Sequence, residues 1–360
     1  MKLLFGILLL AHGSIHFLGY AKAFEINKVP LLSQSIPKNL GMLFLFTAVL
    51  FIISLVMFLL DRQEWFFISL VAVIISQILI LIYWQDAKFG TIANSIILIV
   101  SIIGLASWSF KNTFENDVNT AFVKASTNQE LITQKDIDHL PMPVQNYLNY
   151  VGIVGKPRVS NLELTFQAEM RGKEQDWFSF TSQQHTFFAH PTRLFFMEAK
   201  VKRLPTAGYH YYKGNVASMR IKLLSLFSVV DISTPELFIA ETVTFFNDLC
   251  LFAPAVLIDD RIQWETINDT SVKAYFRNQE TTIAAILYFN EEGQLINFVS
   301  DDRYDINEMK KYRFSTPISK YKNFNGYMLP SYGEAIWHYP DGEFVYGKFD
   351  VKSVEYNAPN

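Results

Sequence analysis

The sequence is poor in the features that mark several common protein classes. Cys250 is the only cysteine among 360 residues, which excludes a fold held together by intramolecular disulfide bonds. Charged residues make up 18% of the chain, below the roughly 25% of typical soluble domains, and the formal net charge is −3 with no basic cluster. Binding to nucleic acid through phosphate contacts is therefore not expected. No glycine-rich nucleotide loop follows any predicted strand.

The shortage of charge is concentrated at the N-terminus. Only ten of the 65 charged side chains lie within residues 1–110. Uncharged runs, most of them about 21 residues or roughly 31 Å of helix, match the thickness of the hydrocarbon core. These runs are residues 3–21, 40–60, 65–85 and 89–110. The first run also resembles a signal peptide, but its length and its polar side chains favour a retained helix. The sequence thus predicts a four-helix transmembrane anchor over 1–110 and a multi-pass cell-membrane protein.

The orientation of this anchor follows less directly from the charges. An even number of spans places both ends of the chain on the same side of the membrane. Lysine and arginine residues near the spans number four on each side, so the positive-inside rule gives a tie. The first helix usually dominates orientation, and its flanks favour a cytoplasmic first loop. We therefore expect the region after residue 110 to lie outside the cytoplasm.

Three polar residues inside the predicted spans suggest two different roles. His12 and His16 are four residues apart and share one face of a helix, a spacing that suits a metal, a haem or proton transfer. A haem usually needs axial ligands on two helices, and the other spans contain no histidine. Hydrogen bonding between helices, with partners such as Gln77 and Asn94, is therefore the favoured interpretation. No cofactor and no metal are predicted.

The remainder of the chain is predicted to form a linker and a soluble domain. Residues 111–143 are predicted to be a linker or short helix closed by two prolines, because Lys111 to Asp117 contains no apolar stripe beyond Phe114 and Gln134 to His139 is charged. In the predicted soluble domain, residues 144–360, Val144 to Tyr150 predict a brief helical turn, and from about residue 159 apolar and polar side chains alternate with period two, with turn residues about every ten positions. The predicted strands are Leu162–Met170, Trp177–Thr186, Arg193–Val201, Gly208–Tyr212, Val272–Arg277, Thr282–Phe289, Leu295–Ser300, Glu334–Tyr339 and Phe344–Val354. This pattern predicts antiparallel hairpins and no crossover units.

One helix interrupts the predicted strands. Thr234 is placed as an N-cap, Pro235 occupies the first helical position, and Pro254 stops the helix after about Phe252. A single apolar helix can lie on the concave face of a curved sheet. The predicted fold class is therefore a helical membrane anchor plus an α+β soluble domain, a curved antiparallel sheet or half-barrel with an inserted helix.

This arrangement predicts an apolar cavity that could hold a lipid or another lipophilic small molecule. Aromatic and leucine side chains of the helix stripe would line the cavity, and polar groups would lie at its mouth. The same aromatic residues also suit a packed core, which is the commoner use of such stripes. The predicted ligand-binding residues are Phe238, Phe245, Asn247, Asp248, Leu249, Trp264, Asp302 and Arg303.

Four segments resemble an uncharacterised family of bacterial membrane proteins that carry a domain of unknown function. They are His12 to Tyr20 (HGSIHFLGY), Ser76-Gln77 with Trp84 to Ala87, Phe246 to Cys250 through Ala253-Pro254, and Ser300 to Tyr304. The resemblance covers nearly the whole chain. It implies a four-helix anchor followed by a β domain similar to the lipoprotein-carrier half-barrel. It implies no activity and supplies no catalytic residue.

The leading hypothesis is a membrane-anchored module that binds a lipid or other lipophilic ligand, with the bilayer as its partner. A second hypothesis is an enzyme, either a redox protein using His12 and His16 or a hydrolase. A hydrolase would use Cys250 as a nucleophile or the Asn247-Asp248 and Asp301-Asp302 pairs. Its candidate bases are His185, His190, His210 and His338. A lone cysteine in an apolar helix is more often a buried hydrophobe. A third hypothesis is a structural or sensory domain that binds another protein.

Overall fold

A computed structural model describes residues 2–26, 29–124 and 130–358. The chain forms two compact units, Met1–Phe110 and Lys111–Asn360. The first unit is helical, and the second is built on one large antiparallel sheet.

The first unit contains helices that are long and apolar enough to cross a membrane. Among the described residues four helices meet this description. The four are α1 (Lys2–Ala23), α2 (Lys38–Leu59), α3 (Trp65–Ile82) and α5 (Gly90–Lys124), whose last residues belong to the second unit; the short α4 (Trp84–Ala87) lies between α3 and α5. Glycines let α1 and α2 approach closely. A Cβ atom at Gly41 would lie 2.3 Å from the Cβ of Ala23, and one at Gly19 would lie 2.5 Å from the Phe44 ring.

Helix α5 extends further than the sequence predicts. The region from residue 111 was expected to be a linker or short helix, but it continues α5 as far as Lys124. The reason is a stripe of buried residues at helical spacing, Phe114, Val118 and Ala121. Phe114 stacks on Phe196 of the sheet with the ring centroids 5.3 Å apart. The stripe is hard to recognise in the sequence because Val118 is β-branched and Ala121 is small.

The second unit contains α6 (Met142–Val151), the inserted helix α7 (Pro235–Phe252) and fifteen strands within its described residues. The strands are β1 (Asn161–Met170), β2 (Phe178–Phe187), β3 (Thr192–Val201), β4 (Leu204–Lys213), β5 (Val216–Leu223), β6 (Phe227–Ile232), β7 (Ile262–Asn268), β8 (Ser271–Asn278), β9 (Thr281–Phe289), β10 (Leu295–Ser300), β11 (Tyr304–Asp305), β12 (Lys310–Lys311), β13 (Arg313–Phe324), β14 (Tyr327–Tyr339) and β15 (Gly342–Tyr356).

Thirteen of these strands form a single sheet in which neighbouring strands are antiparallel. Their order is β6-β5-β4-β3-β2-β1-β15-β14-β13-β10-β9-β8-β7, and β11 pairs separately with β12. Strands β6 and β7 are the two edges, so the sheet is curved but not closed. The predicted fold class, apolar helices plus a curved antiparallel sheet with an inserted helix, is confirmed.

Helix α7 connects the two edge strands and packs on the inside of the sheet. The Thr234 hydroxyl accepts a hydrogen bond from the Leu237 backbone N–H at 3.2 Å, which caps the helix as expected. On one side α7 packs tightly against β8, β9 and β10. Phe246 lies parallel to Phe276 at a centroid distance of 5.2 Å and meets Phe298 edge-on at 5.9 Å.

Candidate functional site

A cavity of about 220 Å³ lies between α7 and the strands β1–β5 and β13–β15. One water molecule needs only about 10–15 Å³ of such space, so the cavity is much larger than a packing defect. Most of its wall is aromatic, aliphatic or thioether carbon. Representative lining residues are Phe166, Phe195, Met197, Met219, Phe349 and Val351.

The face of α7 that borders the cavity is its polar face. Glu241, Thr244, Asn247 and Asp248 line the wall, followed by Leu251 on the next turn. Spacings of three and four residues place these side chains on one side of the helix. Two of the predicted ligand-binding residues, Asn247 and Asp248, therefore lie at the cavity.

Four other predicted ligand-binding residues lie in the packed core and not on the cavity wall. Phe245 and Leu249 are buried on the face of α7 next to the cavity-lining one, and Phe238 stacks on Tyr212 at 5.3 Å. Trp264, on edge strand β7, packs half-buried against the same core. The physical reason is size: the bulkiest stripe of the helix fills the closely packed side, which leaves the smaller polar stripe facing the open space.

A buried ion-pair network closes the polar part of the cavity. Arg193 Nε donates to Asp248 at 2.7 Å, and its Nη1 donates to Glu241 at 3.2 Å. His210 Nδ1 donates to the other oxygen of Glu241 at 2.9 Å, and Gln184 Nε2 donates to Asp248 at 2.8 Å. Strands β2, β3 and β4 and helix α7 each supply members, so the network ties the helix to the sheet.

The pKa values of the two carboxyl groups in this network are shifted in opposite directions. Burial opposes ionisation of Glu241, but the His210 hydrogen bond and the Arg193 charge prevail and lower its pKa to about 2. Burial dominates at Asp248 and raises its pKa despite Arg193. His210 and Arg303 add to the lowering at Glu241, whereas the negative charge of Glu241 adds to the raising at Asp248. Burial alone would lower the pKa of Arg193, but the negative charges of Asp248 and Glu241 outweigh burial and raise it.

Two amide oxygens at the cavity have no hydrogen-bond partner among the described residues. They are Gln184 Oε1 and Asn247 Oδ1, whose side chains are 1% and 7% exposed. The Asn247 amide nitrogen donates to Thr316 at 3.1 Å. Buried polar atoms without partners are uncommon, and three of the eight found in the described residues, on Gln184, Asn247 and Arg303, belong to residues that line this cavity.

Arg303 is the second cation at the cavity, and its neighbour Asp302 faces elsewhere. The Arg303 guanidinium lies 4.0 Å from the Phe314 ring centroid and 4.9 Å from that of Trp337, and its Nη1 donates to the Tyr346 hydroxyl at 2.8 Å. Asp302 instead accepts from the Ala284 backbone N–H and from Lys311. It does not line the cavity.

The groups considered for a hydrolase lie in separate environments. Cys250 is fully buried, and burial raises the pKa of its thiol well above the usual value. His338 contacts Ser315 and Glu343, whereas burial lowers the pKa of His185 to about 4. His190 is exposed. In the described part of the chain no hydrogen bond joins Cys250 to any of the four candidate histidines.

The predicted intramembrane polar residues form one hydrogen-bonded network in the helical unit. His12 Nε2 donates to Asn94 at 2.8 Å, and His16 Nε2 lies 3.0 Å from the Ser76 hydroxyl. The Asn94 amide donates in turn to Gln77 at 3.0 Å. The network connects α1, α3 and α5, as expected for packing. Within residues 2–26, 29–124 and 130–358, no group of three or more His, Cys, Asp or Glu residues is arranged to hold a metal ion.

Comparison with known proteins identifies the family. A family model described as a family of unknown function (DUF6544) matches residues 130–349. The chain therefore belongs to this family, which confirms the predicted kinship with an uncharacterised family. A search of curated proteins found no match.

Two solved structures are similar to the sheet domain. A LolA superfamily protein from Nitrosomonas europaea is 10% identical, with 61% of this chain and 93% of that chain covered at a TM-score of 0.35. A DUF1329 family protein from Desulfovibrio piger is 11% identical, with 64% and 95% covered at a TM-score of 0.36. TM-scores below 0.5 support no conclusion about function.

Proposed function

We propose that the sheet domain binds a lipophilic molecule in the cavity beside α7 and that the four apolar helices anchor this domain in a membrane. The single observation that carries the proposal is the cavity itself. Protein interiors are packed about as densely as organic crystals, and a large apolar void costs stability unless something fills it. A ligand with an apolar body supplies the missing contacts.

The wall composition supports a lipophilic ligand in particular. Small-molecule sites are concave and mostly apolar, with a few polar groups that orient the ligand. Here the apolar side chains come from strands β1–β5 and from strands β13–β15. The unpartnered oxygens of Gln184 and Asn247 supply hydrogen-bond acceptors. Asn247, Asp248 and Arg303 are the predicted site residues that we retain as ligand contacts.

The membrane location is part of the same proposal. Four helices long and apolar enough to span a bilayer precede the sheet domain in this chain. We propose a multi-pass protein of the cell membrane with the sheet domain outside the cytoplasm, on the basis of the flanks of the first helix. Alkaline phosphatase and green fluorescent protein, each fused after residue 360, test the orientation. Phosphatase activity without fluorescence is expected, and the opposite pattern contradicts it.

Photolabelling of the full chain in native membrane vesicles tests ligand binding. The probe is a long-chain fatty acid that carries a diazirine in the middle of its chain, and labelled residues are located by peptide mass spectrometry. We expect labels on cavity residues such as Phe195, Met197 and Met219. Labels confined to the apolar helices, with none on β1–β5 or β13–β15, would overturn the proposal.

A pair of tryptophan variants controls for labelling outside the cavity. Thr244→Trp places a large ring in the cavity from α7 and should abolish labelling of its wall. Ile296→Trp adds the same ring on β10, where the native side chain is 41% exposed. Labelling of the cavity should be unchanged in this second variant. Equal labelling of the wall in both variants would also contradict the proposal.

A further inference from the structure

The two arginines at the cavity differ in how their charges are neutralised. Arg193 is shared between the carboxyl groups of Asp248 and Glu241. Arg303 has no carboxylate oxygen within 4.0 Å in the described part of the chain, and its Nε is buried without a hydrogen-bond partner. Buried cations are normally paired, because removing an ion from water is costly.

The surroundings of Arg303 hold its side chain in place but leave donors available. The rings of Phe314 and Trp337 pack against the guanidinium, and the Tyr346 hydroxyl occupies one Nη1 hydrogen. Aromatic rings stabilise a guanidinium by cation–π attraction without neutralising its charge. A guanidinium carries five N–H donors in a planar fork that matches the oxygens of a carboxylate or a phosphate.

We propose that Arg303 binds the oxyanion head of an amphiphile whose apolar chain occupies the cavity. This inference rests on the proposed function and specifies its ligand class. The head is a carboxylate, as in a fatty acid, or a phosphate, as in an anionic phospholipid. The Arg303 charge acts on Glu241 from a distance, but no Glu241 oxygen lies within 4.0 Å of the Arg303 guanidinium; the direct partners of Glu241 are Arg193 at 3.2 Å and His210 at 2.9 Å.

The inference is tested by labelling the full chain in membrane vesicles with two probes of identical chain length. One is the diazirine fatty acid and the other is its uncharged methyl ester. We expect the acid to label the cavity wall at least about ten-fold more efficiently, the minimum gain of a charge-assisted hydrogen bond. Equal labelling by both probes would overturn the inference and leave the proposed function standing. Labelling of the wall by neither probe would overturn the proposed function itself.

Variants of the arginine assign the preference to its charge. Arg303→Gln should remove the preference for the acid while the ester still labels the wall, which shows that the cavity is intact. Arg303→Lys keeps the charge and should retain part of the preference. The matched control is Arg313→Gln, an exposed arginine paired with Asp301 at 2.9 Å, which should behave as wild type. If Arg303→Gln loses labelling by both probes, the cavity itself is disturbed, and the test then rests on Arg303→Lys. Equal labelling of the wall by the acid and the ester in Arg303→Lys contradicts the inference.

Competition identifies the source of the oxyanion. Unlabelled fatty acid and unlabelled phosphatidic acid are added in separate series before illumination, with diacylglycerol as the uncharged control. Displacement of the acid probe at a lower concentration of one competitor assigns the head as carboxylate or phosphate. If diacylglycerol displaces the acid probe as effectively as either anionic competitor does, a role for the oxyanion is contradicted.

Discussion

Truncation of Phe245 tests whether α7 packs its aromatic stripe into a core and presents its polar stripe to a cavity. The Phe245 side chain is fully buried, and its ring lies 5.7 Å from Phe276 and 5.5 Å from Tyr212. Replacing a buried phenylalanine with alanine costs about 3–5 kcal/mol of unfolding free energy, because contacts are lost and a void remains. For a domain of this size, that loss corresponds to a fall of roughly 6–20 °C in melting temperature.

The neighbouring residue is the matched control. Thr244 lies on the cavity-lining face of the same helix and already borders open space, so Thr244→Ala should shift the melting temperature by only a few degrees. Protease resistance of the sheet domain is measured after the full chain is heated in mild detergent. A similar small shift for Phe245→Ala would show that this side chain borders a space and not a core. The reasoning about the two faces of α7 would then be refuted.

Three further predictions concern the buried polar networks. Arg193→Leu should cost about 3–5 kcal/mol in the same melting assay, because Asp248 and Glu241 lose their shared cation, and a wild-type melting temperature would contradict this. Glu241 has a folded pKa of about 2, below its ordinary 4.5, so its ionisation stabilises the fold above pH 4.5, and this contribution is lost as the pH falls toward 2. The melting advantage of wild type over Glu241→Gln should therefore shrink between pH 5 and 2, and a constant difference would refute the assignment. His12→Leu should weaken helix packing by about 1–2 kcal/mol, measured as earlier loss of the helical unit in denaturing detergent, and unchanged resistance would argue against the hydrogen-bond network.

The sequence predicts the fold well where the pattern is local. Uncharged runs mark the apolar helices, and Thr234 and Pro235 mark the start of α7. Strand β13 was not predicted, because Pro317 and a run of lysine and tyrosine residues interrupt its alternation. Strands β5 and β6 were also missed, because, apart from Ala217, their side chains are half-buried or exposed on both faces.

The candidate site was predicted only in part, since its position depends on packing across the whole sheet. The sequence identifies α7 as the helix that borders a cavity, but it cannot tell which of two faces is tightly packed. Asn247 and Asp248 were proposed from their place on the helix and Arg303 from its charged cluster. Arg193 and Gln184 were not proposed, because strand pairing brings them to α7 from distant positions, and Glu241 was not proposed although it lies on α7 itself. A buried charge midway along an apolar helix, Glu241, was the one available signal.

The most direct test of the cavity as a ligand site is native mass spectrometry of the full chain, released from native membranes and followed by lipid extraction. The wild-type chain should carry a bound amphiphile of defined mass that Thr244→Trp lacks and Ile296→Trp retains. A wild-type chain without such an adduct, or an adduct that persists equally in Thr244→Trp, would contradict binding in the cavity.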